Sequence, residues 1–170
     1  HCPECETQLV NIEGETAWYC PNTLGCPPQI KGRIEHFISR KAMNIESLGE
    51  GKVEVLFDNN LIKDYSDLYN LKYNDIFGLE KIIVVDDGKE NIVRKVSFKE
   101  KTANNIIDAI EKSKNIPFAR VLFALGIKYV GETTAKLIAK AMGSIDNIIN
   151  ASVEELITCK NSRKADYIIK

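Results

Sequence analysis

Cys2-Pro-Glu-Cys5, then Cys20 and Cys26, leave the first part of this chain few folds to choose from. Two short turns that each present two thiols supply the four soft donors a tetrahedral ion needs. Four thiolates leave no open coordination position, so the expected metal is a structural zinc rather than a catalytic one. Iron in a rubredoxin-like site is the minor alternative for the same donors. The fifth cysteine, Cys159, lies far away and reads as a thiol without a role. Clustering of this kind differs from a secreted disulfide framework and favours a reducing cytoplasm. His1 reads as a solvated terminal residue. Within the module, Gly14 separates Leu9–Ile12 from Thr16–Tyr19, two segments expected to pair as a hairpin. Gly25 is expected to supply a positive φ before Cys26. Trp18 is the only large apolar anchor available, so metal binding must supply the folding free energy of residues 1–29.

A repeat runs through residues 30–170. Ser47-Leu48-Gly49-Glu50-Gly51-Lys52-Val53 aligns with Ser97-Phe98-Lys99-Glu100-Lys101-Thr102-Ala103. It aligns again with Tyr129-Val130-Gly131-Glu132-Thr133-Thr134-Ala135, and with Cys159-Lys160-Asn161-Ser162-Arg163-Lys164-Ala165. The third positions are 50, 32 and 30 residues apart. A small or β-branched residue follows four places on (Val53, Ala103, Ala135, Ala165), and Leu56, Ile106, Ile138 or Ile168 three places after that. The physical reading is four helix-hairpin-helix units. A glycine in the hairpin is expected to carry a positive φ, and the small residue lets the second helix pack closely. The hairpin amides and the first turn of the second helix then face outward with the positive end of the helix dipole, which suits a phosphate.

Apolar periodicity places the helices. Ala103, Ile106, Ile107 and Ile110 mark one face; Phe118, Val121, Leu122 and Leu125 mark another, begun at Pro117. Ala135, Ile138, Ala139 and Met142 mark a third, closed by Gly143. Ser144 and Ser152 are candidate N-caps. A helix from about Gln29 to Arg40 buries Ile30, Ile34, Phe37 and Ile38. Lys31, Arg33, Arg40 and Lys41 sit at this junction, where a solvated face competes with a phosphate track, and His36 reads as a packed residue. Ile82–Val85 and Ile92–Val96 flank Asp86–Asn91 as a β-hairpin inside the second unit, expected to protrude without a chemical role. The fold class is therefore mainly α: a small four-cysteine zinc finger (1–29), then a tandem helix-hairpin-helix domain (30–170) with a short β-hairpin insertion. The last unit is truncated or degenerate.

Charge is divided along the chain. Residues 1–30 carry a net −4 with no Lys or Arg, whereas residues 89–170 carry +6, although the whole chain is −1. A polyanion, if one is met, is met in the second half. No apolar run approaches the roughly 18 residues of a membrane span. The chain opens on His1 with a cysteine directly after it, which reads as a segment of a longer protein.

The stretch Cys20-Pro21-Asn22-Thr23-Leu24-Gly25-Cys26-Pro27, followed by Ile34–Ile45 and Leu48-Gly49, closely resembles bacterial NAD-dependent DNA ligase. So does Ala109–Lys114 with Leu125-Gly126-Ile127 and Val130-Gly131. Two features depart from that pattern: Lys99 stands where the family usually has glycine, and the fourth hairpin lacks its apolar-Gly core. The resemblance implies zinc on Cys2, Cys5, Cys20 and Cys26. It implies sequence-independent contact with duplex DNA through Gly49, Gly51, Lys52, Lys99, Lys101, Gly126, Lys128, Gly131, Thr133 and Lys136. It implies a full protein that seals nicks in replication and repair with NAD and Mg, and adjoining catalytic domains as partners of this segment. The adenylation motif Lys-x-Asp-Gly is missing here, because Asp87-Gly88 follows Val85-Asp86, so the segment alone is expected to be non-catalytic. A recombination-repair adaptor of RecR-like type is the alternative, although there the hairpin typically precedes the zinc module. A purely structural interaction domain is the third reading.

Overall fold

A computed structural model of the chain describes residues 1–86 and 91–158. Its contacts divide into two units, one built from residues 1–35 and 48–104, the other from 36–47 and 105 onward. Among the described residues the fold is mainly helical, with two small two-stranded sheets.

In the first unit, β1 (Val10–Asn11) pairs antiparallel with β2 (Trp18–Tyr19), Val10 opposite Tyr19. Gly14 turns the hairpin at φ +87°, a conformation that costs glycine nothing. The Asn11 amide fastens the turn by donating to the carbonyls of Glu15 (2.8 Å) and Ala17 (2.9 Å). The expected hairpin is there, but the expected anchor is not: Trp18 is 66% exposed. A two-residue ribbon has no second layer to cover an indole, so the metal cluster and not Trp18 organises the module.

Helix α1 (Pro27–Ile38) starts directly after the last cysteine, with the Ile30 N–H donating to the Cys26 carbonyl at 3.0 Å. It begins earlier than apolar periodicity indicates. Pro27 and Pro28 suit the first helical positions, where an N–H would have no helical partner in any case. Ile30, Ile34, Phe37 and Ile38 are all buried, as expected. Helix α2 (Glu50–Asp58) buries Val53, Val55 and Leu56. A 3-10 turn (Tyr65–Asn70) is capped by Asp64, and the short α3 (Tyr73–Ile76) follows.

Strands β3 (Glu80–Asp86) and β4 (Asn91–Ser97) form the expected inserted ribbon, running from Glu80 opposite Ser97 to Asp86 opposite Asn91. Two hydrogen bonds of 2.9 Å close its root, Gly78 N–H to the Phe98 carbonyl and Phe98 N–H to the Leu79 carbonyl. The ribbon packs against α2, and Lys81 bonds the carboxylates of Glu54 and Asp58. It is thus held to the fold at its root. Its turn, residues 87–90, lies outside the described residues.

Helix α4 (Glu100–Ser113) follows. In the second unit, α5 (Phe118–Ala124) packs on α6 (Glu132–Met142). Leu122, Val130 and Ala135 form the buried centre, surrounded by Phe118, Phe123, Leu125, Ile138, Ala139 and Ile148. Gly143 ends α6 at φ +77°, its N–H on the Ala139 carbonyl at 2.9 Å. The Ser144 hydroxyl accepts from the Asn147 N–H and caps α7 (Ile145–Asn150). Ser152 and Glu155 cap α8 (Val153–Thr158) reciprocally: the Ser152 hydroxyl accepts from the Glu155 N–H, and the Glu155 carboxylate accepts from the Ser152 N–H. The fourth hairpin and its second helix, Cys159 to Lys170, lie outside the described residues. No described helix is long and apolar enough to cross a membrane.

Candidate functional site

The four cysteines converge. Sγ of Cys2 stands 3.9 Å from Sγ of Cys26, Sγ of Cys5 3.5 Å from Sγ of Cys20, and all four lie within 4.8 Å of one another. Zinc–thiolate bonds of about 2.3 Å in a tetrahedron separate the sulfurs by roughly 3.8 Å, so the donor set fits. Each knuckle is built by backbone hydrogen bonds. The Glu6 N–H donates to the Cys2 carbonyl (2.9 Å) and the Cys26 N–H to the Asn22 carbonyl (3.1 Å). The left-handed residue of the first knuckle is Glu6, at φ +57°. Gly25 does not supply a positive φ as expected. Its role is close approach: a Cβ there would stand 2.7 Å from the Asn22 Oδ1, which already accepts the Gly25 N–H at 2.9 Å.

The thiols differ in their surroundings. The hydroxyl and N–H of Thr7 bring Cys5 down to about 6. Burial pushes Cys20 up to about 12, and raises Cys26 as well. Thiols that resist ionisation become thiolates when a cation sits among them, and the set is closed, which makes the zinc structural.

The hairpins share one backbone design. Gly126 (φ +65°) and Tyr129 (φ +68°) take left-handed conformations in the third unit; Asn44 (+52°) and Ser47 (+65°) take them at the aligned positions of the first. The glycines expected to do so, Gly49 and Gly131, are extended instead, at φ −120°, ψ 177° and φ −77°, ψ 177°. They stand just before α2 and α6 as cap residues. In all three described units the third position accepts the same bond: Val53 N–H to Gly49 (3.0 Å), Ala103 N–H to Lys99 (2.9 Å) and Ala135 N–H to Gly131 (2.9 Å). Those three donors are 0% exposed. The second positions Leu48, Phe98 and Val130 are buried too.

This geometry explains Lys99. The position needs no left-handed backbone, so a lysine fits without distortion, and α4 starts after it as α2 and α6 start after glycine. It also raises the question of why glycine is used at the other two. A Cβ added to Gly49 or Gly131 would meet nothing within 4 Å, and neither residue provides a side-chain cap. The first turns of α2 and α6 therefore carry no side-chain cap, although in α2 the Lys52 N–H already donates to the Gly49 carbonyl at 2.9 Å. Helices α7 and α8, by contrast, carry serine caps.

Among the lysines, Lys52 is half-buried and burial lowers its pKa. Lys99, Lys101 and Thr133 are exposed. The Lys128 Nζ lies 5.0 Å from the Tyr129 ring centroid, and the Lys136 Nζ bonds the Glu132 carboxylate at 2.8 Å. Gly126, Lys128, Gly131, Thr133 and Lys136 thus belong to one hairpin and the helix it starts. Gly49, Gly51 and Lys52 gather at the start of α2, and Lys99 and Lys101 at the start of α4. His36 is packed as expected: its Nε2–H donates to the Phe123 carbonyl at 2.8 Å, with the two rings edge to face. Sequence reasoning passed over Arg120, which donates from Nε to the Lys41 carbonyl (3.2 Å) and from Nη2 to the Arg40 carbonyl. No periodicity announces a bond to a backbone oxygen some 80 residues away.

Residues 1–27 match the NAD-dependent DNA ligase C4 zinc finger domain, and residues 120–161 match a helix-hairpin-helix motif. The chain is 52% identical over 157 residues to a DNA ligase of Phocaeicola vulgatus, which covers 92% of this chain and 21% of that protein. A DNA ligase of Flavobacterium johnsoniae gives the same identity and coverage. One of Chlorobium phaeovibrioides is 46% identical over 156 residues. The chain spans about a fifth of the length of the curated relatives it matches. It is similar, over nearly all its own length, to the zinc-finger and helix-hairpin-helix region of bacterial NAD-dependent DNA ligase.

Proposed function

From that similarity and the hairpin geometry, we propose that the chain is the DNA-gripping segment of a cytoplasmic NAD-dependent ligase. The full protein seals nicks in duplex DNA during replication and repair. The grip is made by amides before and within the first turns of α2, α4 and α6, those of α2 and α6 without a side-chain cap, which donate to backbone phosphates. Gly49, Gly51, Gly126, Gly131 and Thr133 shape or supply those amides, and Lys52, Lys99, Lys101, Lys128 and Lys136 add charge around them. Contacts of this kind read the phosphate backbone and carry no base sequence. Residues 1–29 form a metal-dependent folding unit that braces the array of residues 30–170 against the catalytic domains. NAD and Mg belong to those domains.

The observation that carries this reading is the pair of extended glycines at Gly49 and Gly131. Neither the backbone angle nor the space around it calls for glycine there, and an open helix N-terminus without a cap is suited to an anion. The DNA ligase relatives favour this reading over the RecR-like adaptor. Titration of the chain with nicked and intact duplexes of several sequences tests it. Binding should be similar across sequences and should weaken steeply with salt. Strong preference for one sequence, or affinity unchanged by salt, contradicts it.

A further inference from the structure

Arg120 and Glu132 have no part in the reading above, yet they organise the charges beside the third hairpin. Arg120, half-buried on α5, clasps the backbone of the turn after α1 through the carbonyls of Arg40 and Lys41. With their carbonyls held, both residues remain exposed. Glu132, the first residue of α6, bonds Lys136 at 2.8 Å. Lys136 first, and the charges of Lys41 and Arg120 after it, hold the Glu132 carboxyl below its ordinary range. One carboxylate therefore sits among three cations from α5, α6 and the turn. All of these residues belong to the second unit.

We propose that Arg40, Lys41 and Lys136 form a phosphate-binding arm of the third hairpin, that Arg120 positions it, and that Glu132 is a resident carboxylate competing with the DNA phosphate. The proposal rests on the DNA-gripping reading and extends it to residues outside the hairpin repeat. The Glu132 carboxylate already bonds Lys136 and draws the charges of Lys41 and Arg120, so a phosphate at the same place meets them ready-made, with Arg40 next to Lys41 in the same clasped turn. It must first displace the Lys136–Glu132 pair, which is exposed and weak. Among the described residues neither Arg40 nor Lys41 forms an ion pair with a carboxylate.

The test is the salt dependence of duplex binding by the chain and its variants. Each lost phosphate contact reduces the slope of log K against log salt by about 0.9. Arg40→Gln/Lys41→Gln should therefore flatten the slope by up to about 1.8. Arg120→Gln should flatten it as well, and the triple variant should add little further, because Arg120 acts through the same turn. Glu132→Gln should bind about two- to fivefold more tightly, the size of an exposed ion pair. Thermal unfolding of each variant separates loss of the arm from loss of the fold, since a merely structural role for Arg120 would lower stability and leave the slope unchanged. If the parent chain binds duplex and Arg40→Gln/Lys41→Gln keeps its slope, the arm is refuted while the hairpin grip stands. If the parent chain shows no binding at low salt, both fall together.

Discussion

Single residues carry two separable duties in these hairpins. Ala103 and Ala135 are 0% exposed four places after the hairpin, where there is no room to grow. Ala135→Leu should cost about 1–3 kcal/mol by overpacking, read as a lower denaturant midpoint. An unchanged midpoint would mean that the second helix tolerates a larger gap. Gly126 and Gly143 are needed for their positive φ, so Gly126→Ala should cost about 1–2 kcal/mol. Gly131 is different. Its extended backbone and clear surroundings predict that Gly131→Val costs only the ~1 kcal/mol of a poorer N-cap residue but loses about tenfold or more in duplex affinity, the value of a charge-assisted hydrogen bond. Parental affinity in that variant would move the phosphate away from the α6 amides. These duties were only partly legible in sequence. The spacing marks Gly49 and Gly131, but the positive φ falls on other residues of the hairpins. The left-handed positions are Asn44, Ser47, Gly126 and Tyr129, and three of those four are not glycine.

At the scale of elements, the zinc module and the helices depend on different physics. Residues 1–29 have exposed Val10, Ile12, Trp18, Tyr19 and Leu24 and no covering layer within their own ribbon, so the four-sulfur cluster is their organising centre. Chelation of zinc should make this segment the first to be cut by protease, while most of the far-UV helical signal remains. Simultaneous loss of both would show that the module and the helices share one cooperative core. Helix α1 is the element at risk in between, since Cys26 is both a zinc ligand and the residue from which that helix starts. Helices α7 and α8 lean on their caps: Ser152→Ala removes one half of the reciprocal bond with Glu155 and should cost about 1 kcal/mol. The β3–β4 ribbon was readable from its branched residues and Asp-Gly turn. Its attachment to the root at Gly78 and Phe98 and to α2 through Lys81 was not, because those contacts pair residues distant in sequence.

At the scale of the whole chain, the proposed role is binding without chemistry. Radiolabelled NAD should leave no covalent adduct on this chain alone, since the Lys-x-Asp-Gly motif is missing from its sequence; an adduct would overturn that expectation. What the sequence by itself determined is whatever local spacing dictates: the four zinc ligands, the helix faces, the serine caps and the repeat that aligns Val53, Ala103 and Ala135. Each is a pattern of residue types at fixed spacings, legible along the chain without knowing what packs against what. Only tertiary structure decided which residues bend the hairpins, why lysine is tolerated at position 99, that Trp18 stays in solvent, and that Arg120 reaches the carbonyls of Arg40 and Lys41. Those outcomes depend on free space and on partners far along the chain, and neither is encoded in spacing.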